Sequence, residues 1–353
     1  MTQQQTNPSG PPVLEVLPLT PIIGAEIRGL RLSADLPAPA IAALRTLIAR
    51  HKVVFLRQQE HLDDAAQTAF ARQLGDLVRH PPQHDAQTSP ALFEEVSAHD
   101  GRAGQWHSTA TFLPAYPKYT VLRGVVIPPT GGDTIWANTT AAYQSLPPAL
   151  KRLAESLRAV HSNADDDATR LPSASGAENT DCAGHLGGTT FQTEHPVVRL
   201  HPETGEQSLL LGSFVRRIPG LSRADTRHIH GLFQGFITAP ENTVRWRWQA
   251  GDVVICDNRA TQHVDVDDYG EALRILRRVT VDGDIPVGVD GRKSIAIAGP
   301  DPDRSSLAPP DHPDDGATGC EVHRTIARTA GCGVFDVPFV TDGRVAQFSG
   351  SVP

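Results

Sequence analysis

ENTVRWRWQAGDVVICDNRATQHVDVDDYGEALRILRRVTVDGD, residues 241–284, is the stretch on which the fold turns. Val253 to Ile255 is a short apolar run of β-branched residues, and Leu273 to Val281 is a longer one interrupted by arginines. Both read as strands. Between them lies the polar run Asp257-Asn258-Arg259-Ala260-Thr261-Gln262-His263. It ends on a histidine, the side chain most often used to bind metals.

The same grammar extends outward. Val53 to Leu56 is a short buried strand, and Tyr119 to Ile127 is another, closed by the turn at 128–132. Val13 to Ile27 is apolar and β-like, broken by proline. Helical spacing appears over Asp35 to His51, where Ile41, Leu44, Leu47 and Ile48 recur on one face. Asp63 to Leu74 is a second amphipathic helix. Thr139 to Val160 reads as mostly helical, interrupted near Pro147. Ser222 to Ile237 is a helix with Ser222 and Asp225 in capping positions. Short strands with Gly and Pro turns, and helices set mostly toward the N-terminal half, predict a mainly β protein with α decoration. The expected core is a β-sandwich or jelly roll.

The expected organisation is a disordered tail at 1–12, one jelly-roll domain at 13–299, and a linker with a C-terminal extension at 300–353. The Asp-, Ser- and Gly-rich stretch 162–188 is long enough to be expected as a lid. A net charge of -8 disfavours a nucleic-acid polymer or a membrane surface as partner. Four scattered cysteines give no disulfide framework, and the polar N-terminus has no apolar signal core, so a cytoplasmic protein is expected. No apolar run reaches the ~20 residues of a membrane span.

A second segment, Gln105-Trp106-His107-Ser108-Thr109-Ala110-Thr111-Phe112, brings another candidate ligand, His107. With PPTGGDTIWAN at 128–138, TEHPVVRLHPETGE at 193–206, ENTVRWRWQAGDVVICDNRATQH at 241–263 and RRVTVDGD at 277–284, the chain resembles the TauD/TfdA family of iron(II)- and 2-oxoglutarate-dependent dioxygenases. Within it the likeness is greatest to the alkylsulfatase branch. The resemblance implies a double-stranded β-helix (jelly-roll) core, that His107 and His263 bind iron and that O2 is a substrate. It implies that Thr134 and Arg274 hold 2-oxoglutarate, that Arg278 lies near both oxo-acid and substrate, and that His80 meets a small anionic substrate such as a sulfate, sulfonate or phosphate ester. Phe214 is a candidate substrate contact. The chemistry agrees: imidazole suits iron(II), and a guanidinium grips a carboxylate through a planar fork. Relatives of this kind often form homo-oligomers, although no interface can be read from the sequence.

One position departs from the family. The expected His-x-Asp reads His107-Ser108-Thr109, so the carboxylate ligand is missing. Removing it opens a coordination position that a chloride ion could fill, as in halogenases of this superfamily that carry Gly or Ala there. The expectation is therefore a halogenase of secondary metabolism acting on a small anionic substrate, such as a nucleoside monophosphate. A hydroxylase or alkylsulfatase-type dioxygenase and an inactive 2-oxoglutarate- or anion-binding protein are the alternatives. Thr109 is bulkier than Ala, but its hydroxyl is able to donate to a halide or a water.

Overall fold

The computed structural model describes residues 14–78, 94–96, 104–164, 190–299, 336–341 and 344–349. In chain order the elements are β1 (Leu14–Pro18), β2 (Ala25–Arg28), α1 (Ala38–His51), β3 (Val53–Leu56), α2 (Asp64–Arg72), β4 (Glu94–Val96), β5 (Tyr119–Val126) and β6 (Thr134–Asn138). Then come α3 (Thr139–Ser145), α4 (Pro148–Ser156), β7 (Arg158–Ser162), β8 (Gln192–Pro196), β9 (Val198–Leu200), β10 (Gln207–Leu209), β11 (Val215–Arg217) and α5 (Arg223–Ile237). The last are β12 (Thr243–Trp246), β13 (Val253–Asp257), β14 (Thr261–Asp265), β15 (Ile275–Val281), β16 (Val287–Gly288), β17 (Ile295–Ala298), β18 (Asp336–Thr341) and β19 (Arg344–Ser349).

Among the described residues the largest sheet runs β19-β18-β1-β2-β3-β13-β5-β15-β4. Three smaller sheets, β12-β6-β14, β11-β7-β8-β17 and β10-β9-β16, face or extend it. This is the mainly β jelly-roll architecture, with few helices. Strand alternation explains how the large sheet is covered on both faces. In β3, Val54 and Leu56 point to the layer formed by α1 and α2, where Ile41, Leu44, Ile48 and Phe70 bury them. Val53 and Phe55 point the other way, to Trp136, Trp246 and Trp248 of the barrel interior. Each such side chain contributes roughly 1.5–3 kcal/mol by leaving water. The interior layer is aromatic: Phe55 stacks on Trp246 at 4.2 Å and meets Trp136 edge-on at 5.5 Å.

The helices start where their caps allow. Asp63 accepts a 2.7 Å bond from the Ala66 amide and starts α2; Ser222 accepts a 3.1 Å bond from the Asp225 amide and starts α5. α1 begins only at Ala38, after Pro37, and not at Asp35. The helical reading of 139–160 holds with its break near Pro147, as α3 and α4, and is corrected at its end: Arg158 to Val160 belongs to β7, because Leu157 turns extended and the chain pairs with β8. The β-like span read at 13–27 holds β1 and most of β2, which pair antiparallel. Residues 1–12, nearly all of the expected lid at 162–188, and 300–335 lie outside the described residues. The strands β18 and β19 pair with each other, and β18 lies parallel to β1.

Candidate active site

Strand β14 carries the centre of the site. It pairs with β6 so that His263 lies opposite Trp136 and Asp265 opposite Thr134. His107 docks on β14 by a single antiparallel bridge. Its amide donates to the His263 carbonyl at 3.0 Å, and the His263 amide donates back to the His107 carbonyl at 2.8 Å. Gly212 permits this approach. Its φ is +114°, and a Cβ there would lie 3.1 Å from the Trp106 carbonyl oxygen. The two imidazole rings end 4.3 Å apart between centroids.

Each ring has a defined setting. His107 Nδ1 lies 2.9 Å from the Gln105 carbonyl oxygen. A neutral imidazole therefore donates through Nδ1, which makes Nε2 the nitrogen bearing the lone pair. Burial pushes the His263 imidazole down to about 4, with Arg278 and Arg274 acting in the same direction and Asp265 against it. The ring is thus neutral at neutral pH, the form that can ligate a metal. His263 Nδ1 is buried with no hydrogen-bond partner among the described residues. Phe214, also buried, meets His107 edge-on at 5.9 Å and Phe112 at 5.0 Å, so it braces the first histidine.

Thr109 is buried, and its hydroxyl lies 3.1 Å from that of Thr120 on β5. Thr120 in turn accepts a 2.8 Å bond from Asn258 Nδ2. The position where the family pattern has a carboxylate is therefore part of a neutral hydrogen-bonded chain. Among the described residues no three His, Cys, Asp or Glu side chains converge as a ready-made metal cluster. The two imidazoles still suit iron(II), with the remaining positions left to small ligands.

Beside the histidines stands a buried arginine. Arg274 is buried, and its Nε donates to the Gly132 carbonyl at 2.9 Å. Its Nη2 donates to Thr134 Oγ1 at 3.0 Å. Trp248 Nε1 donates to the same hydroxyl at 2.9 Å. Gly132, at φ +69°, has no Cβ to press on the arginine; one would lie 3.0 Å from Arg274 Cδ. The structure thus brings Thr134 and Arg274 together, next to the strand that holds His263. Arg278 lies on β15, and its charge is felt at His263. His80 lies outside the described residues.

The residue that sequence reasoning missed is Asp265. Its Oδ1 accepts from Arg274 Nη2 at 2.8 Å and from the Thr134 hydroxyl at 2.6 Å. Burial alone would raise its carboxyl, but the charge of Arg274 and the Thr134 bond hold it below the ordinary value. A signal was available: His263-Val264-Asp265 is itself a His-x-Asp. On a strand that spacing puts both side chains on one face.

Comparison with known proteins identifies the family. The model of the taurine catabolism dioxygenase TauD, TfdA family matches residues 15–280. An alpha-ketoglutarate-dependent sulfate ester dioxygenase of Pseudomonas putida is 52% identical over 281 residues, covering 80% of this chain and 93% of its own. An alkylsulfatase of Acinetobacter baylyi is 45% identical over 280 residues, covering 79% and 88%. Among solved structures, a taurine dioxygenase from Burkholderia xenovorans superposes with a TM-score of 0.68 at 36% identity, covering 82% of this chain and 96% of its own. AAD-2, solved with Mn(II) and N-oxalylglycine, superposes with a TM-score of 0.65 at 25% identity, covering 78% and 99%. No helix among the described residues is long and apolar enough to cross a membrane.

Proposed function

The chain belongs to the TauD, TfdA family and is a non-haem iron(II)- and 2-oxoglutarate-dependent oxidoreductase, and from that premise we propose that it cleaves small aliphatic sulfate esters by oxidation. The observation that carries this reading is the joint placement of His107, His263, Thr134 and Arg274. It is supported by relatives named as a sulfate ester dioxygenase and an alkylsulfatase. Iron(II), 2-oxoglutarate and O2 supply hydrogen removal and oxygen transfer when bound. The rest falls to the protein. His107 and His263 hold the metal through neutral nitrogens. Arg274 and Thr134 orient a carboxylate by charge-assisted hydrogen bonds. Arg278 supplies positive charge for the substrate's anionic head.

Hydroxylation of the carbon that bears the ester oxygen gives a hemiacetal sulfate. That species loses sulfate and leaves an aldehyde. The balance is ester, 2-oxoglutarate and O2 in; aldehyde, sulfate, succinate and CO2 out. The test is to incubate the protein with iron(II), 2-oxoglutarate and a series of alkyl sulfates, and to follow sulfate and aldehyde. Release of both, dependent on 2-oxoglutarate, is expected. Succinate formation with an intact sulfate ester in every case would overturn the substrate assignment.

Thr109 favours a second reading, chlorination at the open position, although neither relative is named for it. On that reading chloride is a co-substrate, product gains chlorine in chloride buffer, and Thr109→Asp abolishes the gain. Chlorinated product from Thr109→Asp would sink it.

A further inference from the structure

The Arg274–Thr134 anchor is not vacant of negative charge. Asp265 reaches it from β14 and takes one bond from each partner, at 2.8 and 2.6 Å. These are the two groups that, on the reading above, would receive the distal carboxylate of 2-oxoglutarate. The guanidinium is buried; its Nε donates to the Gly132 carbonyl at 2.9 Å and both Nη2 protons go to Thr134 and Asp265, so the two-point Nη1–Nη2 fork that would grip an incoming carboxylate is engaged on one arm. Thr134 is equally committed. Its single proton goes to Asp265, while Trp248 and Arg274 donate to its oxygen. A hydroxyl has one proton, so Thr134 cannot donate to Asp265 and to an incoming carboxylate at once. Two carboxylates on one buried guanidinium also repel each other in a medium that screens poorly.

We propose that Asp265 is an internal occupant of the oxo-acid's carboxylate subsite, so that 2-oxoglutarate binds only by displacing it from Arg274 and Thr134. Asp265 is thereby a specificity-determining residue for the co-substrate. It neutralises Arg274, and so it selectively weakens oxo-acids that carry a second carboxylate. An oxo-acid without one, such as 2-oxobutyrate, makes no demand on the anchor and is not penalised. Asp265 shares its strand face with His263, so the displaced side chain has the metal side of the pocket to move into.

This inference rests on the assignment of Thr134 and Arg274 to 2-oxoglutarate, and the test separates the two. Full-length protein loaded with Mn(II) is titrated without O2, first with 2-oxoglutarate and then with 2-oxobutyrate. Heat and tryptophan emission are followed; Trp248, bonded to Thr134, is the built-in reporter. The same is done for Asp265→Ala, and for Asp265→Asn, which keeps the shape and an acceptor oxygen and guards against misfolding. Mn(II) affinity is measured separately for each protein. The expected result is 2-oxoglutarate binding at least tenfold tighter in both variants, with 2-oxobutyrate changed by less than threefold. If the unsubstituted protein takes up 2-oxoglutarate and the variants bind it no more tightly, the proposal fails while the co-substrate assignment stands. If the variants lose Mn(II) instead, Asp265 is a metal ligand and the proposal fails. If no protein in the set binds 2-oxoglutarate, the proposal and the assignment fall together.

Discussion

Thr109→Asp tests the central oddity of the site, and its energetic consequences follow from the surroundings. Thr109 is 4% exposed and contacts Thr120, which is fully buried and already bonded by Asn258. A carboxylate placed there without a metal loses its water and gains at most the Thr120 hydroxyl as donor. The effective cost of burying one poorly paired ion is several kcal/mol, offset by a charge-assisted bond of ~1.5–3 kcal/mol. A net loss of about 2–3 kcal/mol is expected for the metal-free variant. At the ~2–4 °C per kcal/mol of a chain of 150–250 residues, and slightly less for a longer one, Tm falls by roughly 5 °C. With metal the sign reverses. The new carboxylate completes a two-His, one-carboxylate set, and each tenfold gain in affinity adds about 1.4 kcal/mol at a saturating concentration. The assay is thermal unfolding of parent and variant, each with chelator and with excess Mn(II). The Mn(II)-induced rise in Tm is expected to be larger in the variant by at least 3 °C. An equal or smaller rise would refute the reasoning, since residue 109 would then not face the metal.

Two further outcomes concern the scaffold. Arg259 clamps the fully buried Asp257 with Nε and Nη2, each at 2.8 Å, and His201 adds a contact at 2.9 Å. Arg259→Ala strands that carboxylate, and urea unfolding is expected to show a loss of roughly 3–5 kcal/mol; a loss under 1 kcal/mol would contradict the clamp. The second outcome is acid sensitivity. Burial pushes His195 down to about 3, pushes His51 down to about 4, and holds His161 well below its ordinary value. An imidazole depressed in the fold is protonated in the unfolded chain from about 6.5 downward, so its stabilising effect is complete above 6.5 and fades as pH falls toward 3. Asp252, pushed up to about 6 by burial, works the other way but over a shorter span. Each unit of displacement is ~1.4 kcal/mol, so the histidines dominate. Tm is expected to drop steadily between pH 6.5 and 4, and a flat profile there would refute the neutral buried histidines.

What could be read from the chain divides along physical lines. The amphipathic helices α1, α2 and α5 were legible because one face is apolar at 3.6-residue spacing and a capping side chain marks the start of two of them. The strands β3 and β13 were legible because they are buried along their whole length and hence nearly all apolar, and β5 and β15 because β-branched residues surround their arginines. β14 was not legible as a strand. Its sequence Thr-Gln-His-Val-Asp presents functional side chains where a structural strand would present valines. β7 was hidden for a different reason: Leu150, Leu153, Ala154 and Leu157 set a helical rhythm that Val160 continues by chance of spacing. The pair His107 and His263 and the pair Thr134 and Arg274 were legible through family motifs alone, since nothing in local periodicity brings residues 107 and 263 together. Asp265 was not legible because the family's His-x-Asp belongs to the first histidine, and the same spacing after His263 has no counterpart in that motif.

Thr109 and Asp265 belong to one local arrangement. A His-x-Asp spacing is absent at 107–109 and present at 263–265, on two segments that the bridge between His107 and His263 holds side by side. The strand pair therefore carries one carboxylate near the histidines, and its position decides what that carboxylate faces. At residue 109 it would lie beside Thr120 on the large sheet, where a metal is needed to balance it. At residue 265 it lies opposite Thr134 in the β6–β14 ladder, where Arg274 already balances it. The local sum of charge is the same in both arrangements, and its partner is different. In the first, the protein's negative charge favours the metal and leaves the arginine open to an anion. In the second, the arginine is satisfied from within, and the pull on the metal must come from whatever enters the pocket. Ligand entry and metal retention are then coupled more tightly than in a site that owns its third ligand.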